Sequence, residues 1–255
     1  MRSPTKNTDL YLIRHGEAFA NVDHIVGGMR GDTGLTPLGV RQAERLRDRL
    51  AATREIEADV LIASTLPRAR QTAGIIAPAL GLPLTLDDSV QELRPGEADG
   101  LSMEDAMLRF DIPDVERDPF RPVSPGGESW GDFMLRVSAA LAHIAREHAG
   151  KSVVIVSHGG FIDGSFLYFF RMNALALPPV QFTTRHTSLT HWQHGLRWNQ
   201  TEAWHLVSYN DCMHLRDLDR GTRIPWAGLS SRPPPSAEEP AVPILTEIAD
   251  EPTQG

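Results

Sequence analysis

Lys151-Ser152-Val153-Val154-Ile155-Val156-Ser157-His158-Gly159-Gly160 is the stretch that decides the fold class. Four successive branched apolar residues, Val153 to Val156, leave the segment without a polar face. A strand of that composition is buried on both sides, as in a sheet covered by helices above and below. The run stops at a histidine and two glycines, which predicts a turn at the strand's C-terminal end and a helix after it.

The same pattern recurs upstream. Asp9 to Arg14, with Leu10-Tyr11-Leu12-Ile13 at its centre, predicts a short buried strand that ends at His15-Gly16. Ala58 to Ala63 predicts a second, followed by a helix from about Pro67 to Leu80 that Gly81 closes. Leu82 to Leu86 predicts another short strand, and further strands are expected at Ser188–Trp192 and Ala203–Tyr209. Thr36-Pro37 is a helix start, with Val40, Ala43, Leu46 and Leu50 at spacings of three and four. Glu128 to Ala149 carries Phe133, Val137, Leu141 and Ile144 at helical spacing before Gly150. The alternation predicts an α/β fold with a largely parallel central sheet flanked by helices. Glu17 to Leu35, with Gly27, Gly28, Gly31 and Gly34, reads as a long loop, and long loops in compact domains are usually functional. Arg94 to Gly127 is irregular and Pro-rich and is expected to form a lid or cap beside the site.

Composition narrows the function classes. A chain of 255 residues suits one α/β catalytic domain, expected over 1–225. Beyond Pro225, prolines alternate with Glu238, Glu239, Glu247, Asp250 and Glu251, so 226–255 is expected to be a disordered acidic tail. A formal charge of -8 argues against nonspecific nucleic-acid binding, and an anionic substrate would need a local basic pocket. No stretch approaches the ~20 apolar residues of a membrane span, and Met1 to Asp9 lacks the apolar run of a secretory signal; cytoplasmic residence is expected. Cys212 is the single cysteine, which excludes an intrachain disulfide and a cysteine-based zinc site. His191 and His194 are three apart without a cluster of carboxylates or cysteines, and no metal is expected.

Three constellations carry chemistry. In Arg14-His15-Gly16-Glu17, a histidine at a strand end is a candidate nucleophile, because a neutral imidazole can accept a phosphoryl group and return it to water. The adjacent Arg14 binds phosphate oxygens and disfavours protonation of the ring, and Gly16 would let the backbone approach the transferring group. In Ser157-His158-Gly159-Gly160, His158 stands beyond the C-terminal end of a strand, where ligands bind open α/β sheets and helix N–H groups meet anions. In Ser64 through Ala73, Arg68 lies at a helix start, where a cation is unfavourable unless it is paired or holds an anion. Arg68 is therefore a candidate phosphate ligand, whereas Arg70 reads as a solvated helix charge.

Together with Glu92 followed by Gly96 and Gly100, these motifs resemble the histidine phosphatase superfamily, also called phosphoglycerate-mutase-like. The likeness spans about 9–215 and includes Leu35-Thr36-Pro37-Leu38-Gly39, Gln42-Ala43, Pro125-Gly126-Gly127-Glu128-Ser129, Asn210-Asp211 and His214-Leu215. It implies a three-layer phosphoglycerate-mutase-like fold with a small cap insertion at about 94–150. It further implies His15 as the phosphorylated nucleophile, with Arg14, Arg68 and His158 clamping the phosphoryl oxygens. Asn21 and Gly159 would add phosphate contacts, and Glu92 would act as general acid and base without metal or cofactor. In such transfers positioning and charge neutralisation do most of the work.

Departures from the family pattern are local. Ala18-Phe19-Ala20 follows Glu17 where a small hydroxyl residue is common, Glu97-Ala98-Asp99-Gly100 replaces an aromatic-Glu-Gly ending, and His186-Thr187-Ser188 stands where an Asn often leads. Arg94-Pro95-Gly96 replaces the Arg-His-Tyr-Gly of the mutases, which favours hydrolysis of a small-molecule phosphomonoester over a 2,3-bisphosphoglycerate-dependent phosphoglycerate mutase. A non-catalytic phospho-ligand binding module would be favoured by loss of His15 or Glu92, and both are present. Met103, Met107, Phe110 and Phe120 beside Arg109, Arg117 and Arg121 are the cap residues expected to shape substrate choice.

Overall fold

The computed structural model describes residues 6–111, 113–178 and 180–218. The expected tail, 226–255, and the end of the expected domain lie outside them. In chain order the elements are β1 (Thr8–Arg14), α1 (Phe19–Val22), α2 (Pro37–Thr53), β2 (Val60–Ser64), α3 (Pro67–Leu80), β3 (Leu84–Asp87), α4 (Met103–Phe110), α5 (Trp130–Glu147), β4 (Ser152–Ser157), α6 (Gly159–Phe169), β5 (Leu189–Leu196) and β6 (Glu202–Asp211).

The strands form one sheet in the order β3-β2-β4-β1-β5-β6. β1, β4, β2 and β3 pair in parallel, while β5 and β6 add an antiparallel edge. The deciding strand is central, as its composition requires. Val153 and Ile155 pack on one side with Leu10 and Leu12 of β1, against Phe133 and Val137 of α5 and Phe161 and Phe166 of α6. Val154 and Val156 pack on the other side with Ile13, against Leu46 and Leu50 of α2 and Ala73 and Ile76 of α3. Alternate side chains on one strand thus build two cores, giving the three-layer fold.

Local chemistry sets the helix ends. Thr36 Oγ accepts from Gly39 N–H at the start of α2, with Pro37 in the first helical position. Ser129 and Asp132 form a reciprocal capping box on α5. Gly81 ends α3 in the left-handed conformation, φ +66°.

Two expectations change. The insertion expected over about 94–150 is shorter, because α5 contributes Phe133, Met134, Val137, Leu141 and Ile144 to the core, so the excursion from the core runs over 94–129. That excursion is also more ordered than its prolines suggest, since it contains α4 with Ser102 as N-cap. The Gly-rich loop and the excursion are stitched together by backbone bonds, Val26 N–H to Leu101 O (2.9 Å), Gly100 N–H to Val26 O (2.9 Å) and Met103 N–H to His24 O (2.8 Å). Among the described residues no helix is long and apolar enough to cross a membrane.

Candidate active site

β1 and β4 are neighbours in register, with Arg14 opposite Ser157, so the residues that follow each strand emerge side by side. The rings of His15 and His158 lie 5.1 Å apart between centroids, and both side chains are buried. The backbone also joins the two ends, because His15 N–H donates to Ser157 O (2.9 Å).

The imidazole of His15 is oriented from both nitrogens. Nδ1–H donates to Gly16 O (2.6 Å), and Nε2 accepts from Arg68 Nε–H (3.0 Å). Both contacts select the tautomer with its lone pair on Nε2. Burial, then the charges of Arg68 and Arg14 and the neighbouring imidazoles, hold His15 well below the usual histidine range, so the ring is neutral. A buried neutral imidazole with an aimed lone pair is a competent nucleophile. The absence of a side chain on Gly16 serves packing rather than ligand approach, because a Cβ there would meet Gly39 O of α2 at 2.5 Å.

Arg68 sits in the first turn of α3, and Asp32 answers the electrostatic penalty of a cation there. One carboxylate oxygen, Oδ2, accepts from Arg68 Nη1 (3.0 Å) and from Arg68 N–H (3.0 Å), while Gly27 O accepts from Nη1 (2.7 Å). Asp32 is wholly buried and its other oxygen accepts from Gly34 N–H (2.9 Å). Asp32 was not among the residues singled out from the sequence. The signal was the rule that a buried cation at a helix start needs a partner, applied to an aspartate in the adjoining Gly-rich loop.

His158 is wired in the opposite sense. Nε2 contacts Ser64 Oγ (2.7 Å), which also accepts from Leu66 N–H (3.3 Å); where the hydroxyl gives its proton to Nε2, the ring proton sits on Nδ1. Among the described residues Nδ1 is buried without a partner, as is Nε of Arg14, whose Nη1 donates to Thr184 O. Unpaired buried polar groups cost roughly 1–3 kcal/mol each, so such groups close to His15 suit an anionic ligand. Burial and the charges of Arg68 and Arg14 keep His158 neutral as well.

Glu92 reaches the start of α6. Its Oε2 accepts from Gly160 N–H (3.0 Å) and its Oε1 from Leu93 N–H (3.0 Å), and a Cβ on Gly160 would run into the carboxylate. Arg136 of α5 fixes this segment by donating to Ser89 O (3.0 Å), Gln91 O (2.8 Å) and Glu92 O (3.0 Å), and it pairs with Glu128 (2.7 Å). Asp163, in α6, shares a hydrogen bond with Thr184 Oγ (3.1 Å), and burial pushes its carboxyl up to about 7, with Glu92 adding to the rise. Gly159 opens α6 close to Arg14, where a Cβ would stand 3.7 Å from Nε. Asn21 accepts from Ala18 N–H through Oδ1 (3.1 Å), which leaves its amide N–H groups as the donors it could offer a ligand.

The cap arginines are engaged elsewhere. Arg109 faces Glu97 (3.6 Å), Arg117 faces Asp114 (3.5 Å) and Arg121 faces Asp111 (3.4 Å), all on the surface. His191 bonds Asp9 (2.7 Å) and stacks on Tyr11, a packing role for the first of the two spaced histidines. Among the described residues no group of three His, Cys, Asp or Glu side chains is arranged to hold a metal ion.

Residues 10–211 match the family model of the histidine phosphatase superfamily, branch 1, and the chain belongs to that family. Among its relatives, 2,3-bisphosphoglycerate-dependent phosphoglycerate mutase of Methylobacterium sp. (strain 4-46) is 30% identical over 182 residues, covering 69% of this chain and 86% of that one. Among solved structures, a phosphoserine phosphatase mutant from Entamoeba histolytica in complex with phosphoserine aligns with a TM-score of 0.64 at 25% identity, covering 82% of this chain and 99% of that one. A mycobacterial glucosyl-3-phosphoglycerate phosphatase complexed with VO3 aligns with a TM-score of 0.64 at 24% identity, covering 79% and 98%, and supports the fold.

Proposed function

We propose that this chain is a metal-independent phosphomonoester hydrolase that works through a covalent phosphohistidine on His15. The observation that carries the reading is the wiring of His15, a buried neutral ring whose Nε2 lone pair faces Arg68 beside unpaired donors of Arg14 and His158. In the first step Nε2 attacks phosphorus, the bond to the leaving oxygen breaks, and Glu92 protonates that oxygen. In the second, water attacks phosphorus, Glu92 takes its proton, and the N–P bond breaks to release phosphate. Arg14, Arg68 and His158 hold the phosphoryl oxygens through both steps, with Asn21 and Gly159 N–H as further donors.

The mutase reading is kept because a relative at 30% identity is a phosphoglycerate mutase. Against it, the segment reads Arg94-Pro95-Gly96 in place of the mutases' Arg-His-Tyr-Gly, and Arg94 is engaged within the protein, donating to Gln91 Oε1 (2.9 Å) and Asp88 O (3.1 Å). Cytoplasmic residence is part of the same proposal, supported by a single cysteine with no partner for an intrachain disulfide.

The test is hydrolysis of p-nitrophenyl phosphate with excess EDTA, wild type beside His15→Ala. Chelator-resistant turnover that disappears in the variant is the expected result. Turnover that survives in the variant overturns the covalent route. A silent wild type that isomerises 3-phosphoglycerate is a mutase, and one that only binds phosphate is a binding module.

A further inference from the structure

His186, which departs from the family pattern at a position where an Asn often leads, stands beside His15, and the mechanism above does not use it. Its ring lies 5.6 Å from that of His15 between centroids, against 5.1 Å for His158, so three imidazoles share the site. Its Nε2 is closed off from solvent and has no hydrogen-bond partner among the described residues, the same condition as Nδ1 of His158 and Nε of Arg14.

The segment carrying His186 is held on both sides. Before it, Thr184 O accepts from Arg14 Nη1, and Arg185 N–H donates to Asn210 Oδ1 (2.8 Å). After it, Thr187 N–H donates to Arg14 O (2.9 Å) and His15 O (3.4 Å), and Ser188 O accepts from Arg14 N–H (3.4 Å). Thr187 takes a left-handed conformation, φ +55°, which a β-branched residue adopts only where its surroundings enforce it. Thr187 Oγ bonds His214 Nε2 (3.0 Å) and supplies part of that enforcement. This strap runs along the end of β1 and carries His186 to the nucleophile. Burial and the nearby Arg14 and Arg68 keep the ring neutral, and a neutral imidazole can give one hydrogen bond without adding charge to the cluster.

We infer that His186 is a further ligand of the bound phosphoryl group, donating a hydrogen bond from Nε2 to one of its oxygens. The identity of the anion rests on the hydrolase reading; the need of a hydrogen-bond partner rests on the three unpaired buried nitrogens. An asparagine at this position would present an amide donor on a shorter side chain, so His186→Asn is the conservative variant and His186→Ala the deletion.

The experiment measures inorganic phosphate binding by calorimetry on the full chain, with kcat and KM for p-nitrophenyl phosphate alongside. His186→Ala is expected to weaken phosphate binding about tenfold or more, the size of one hydrogen bond to a charged group, and to lower kcat/KM in parallel. His186→Asn is expected to recover part of both, and thermal melts of both variants without phosphate show whether each is folded. Phosphate affinity equal to wild type in folded His186→Ala and His186→Asn overturns the assignment while leaving the hydrolase reading intact. A wild type that binds phosphate but hydrolyses nothing, with binding lost in His186→Ala, keeps the assignment and overturns the hydrolase reading. A wild type that binds no phosphate overturns both.

Discussion

Two strand ends in this molecule carry the same residue type in the same register, yet they are wired in opposite senses. His15, after β1, spends its Nδ1–H on Gly16 O and gives its Nε2 lone pair to Arg68 Nε–H. His158, after β4, contacts Ser64 through Nε2 and keeps Nδ1 buried without a partner among the described residues. Burial and the same two arginines keep both rings neutral, so charge does not distinguish them. The difference lies in the partners, a carbonyl at Nδ1 and a guanidinium N–H at Nε2 of His15 against a hydroxyl at Nε2 of His158, and in the proposed mechanism it suits the first ring to attack and the second to donate.

The most damaging way to break the comparison is to remove its nucleophilic half. His15→Ala is expected to lower kcat by at least ~1,000-fold with the fold preserved, measured as steady-state hydrolysis beside a thermal melt. Rewiring the other half is gentler. Ser64→Ala leaves His158 free to carry its proton on either nitrogen and is expected to lower kcat/KM by roughly 10–100-fold, with His15 still phosphorylated in a quenched burst. If Ser64→Ala matches wild type, Ser64 does not set the tautomer.

Asp32 sharpens the comparison from the side of Arg68. Removing the carboxylate leaves a buried guanidinium unpaired, a loss of roughly 3–5 kcal/mol, so Asp32→Ala should melt roughly 10 °C below wild type. Asp32→Asn, which keeps an acceptor, should lie between the two.

The smallest effect is one of pH. His15 and His158 stay neutral in the fold while the unfolded chain takes up protons below ~6.5, so their share of stability is present above that value and lost as pH falls. Asp163 acts in the other direction. Its carboxyl keeps a proton up to about 7 in the fold, so its share is complete below ~3.9 and lost as pH rises toward 7. Asp163→Asn should therefore melt a few degrees above wild type at pH 8 and converge with it toward pH 4. Equal melting curves at pH 8 would show that the carboxyl ionises there without cost.

Both strand-end histidines were legible because each closes an apolar run, and a run of four buried residues can be read from neighbours alone. Their wiring was not, because it depends on contacts far apart in the chain. The bond from Ser64 to His158 spans 94 residues and that from Asp32 to Arg68 spans 36. Glu92 was readable only through the family pattern, since what positions it is Arg136, a residue that looks like any helix charge until α5 is folded against the segment. The antiparallel edge had a cue in the short link between Leu196 and Glu202, too brief for a parallel crossover. His186 could be seen as a departure at one position, but its approach to His15 arises only when β5 docks beside β1.

Arg136 holds the Glu92 segment by three carbonyl oxygens of the main chain, Ser89, Gln91 and Glu92. Carbonyls are the same whatever side chain follows them. The harness is therefore indifferent to the side chains of the stretch it holds, and after Glu92 the exposed Arg94 and Glu97 can vary, whereas Leu93 packs on the core and Gly96, at φ +61°, has Gly127 N 2.2 Å from where a Cβ would stand. A library randomised at Arg94 and Glu97, whose side chains reach solvent, and sparing Leu93 and Gly96, should alter what this bend presents to a ligand while the Glu92 carboxylate stays in place, which makes these two positions the natural starting point for redirecting the proposed activity.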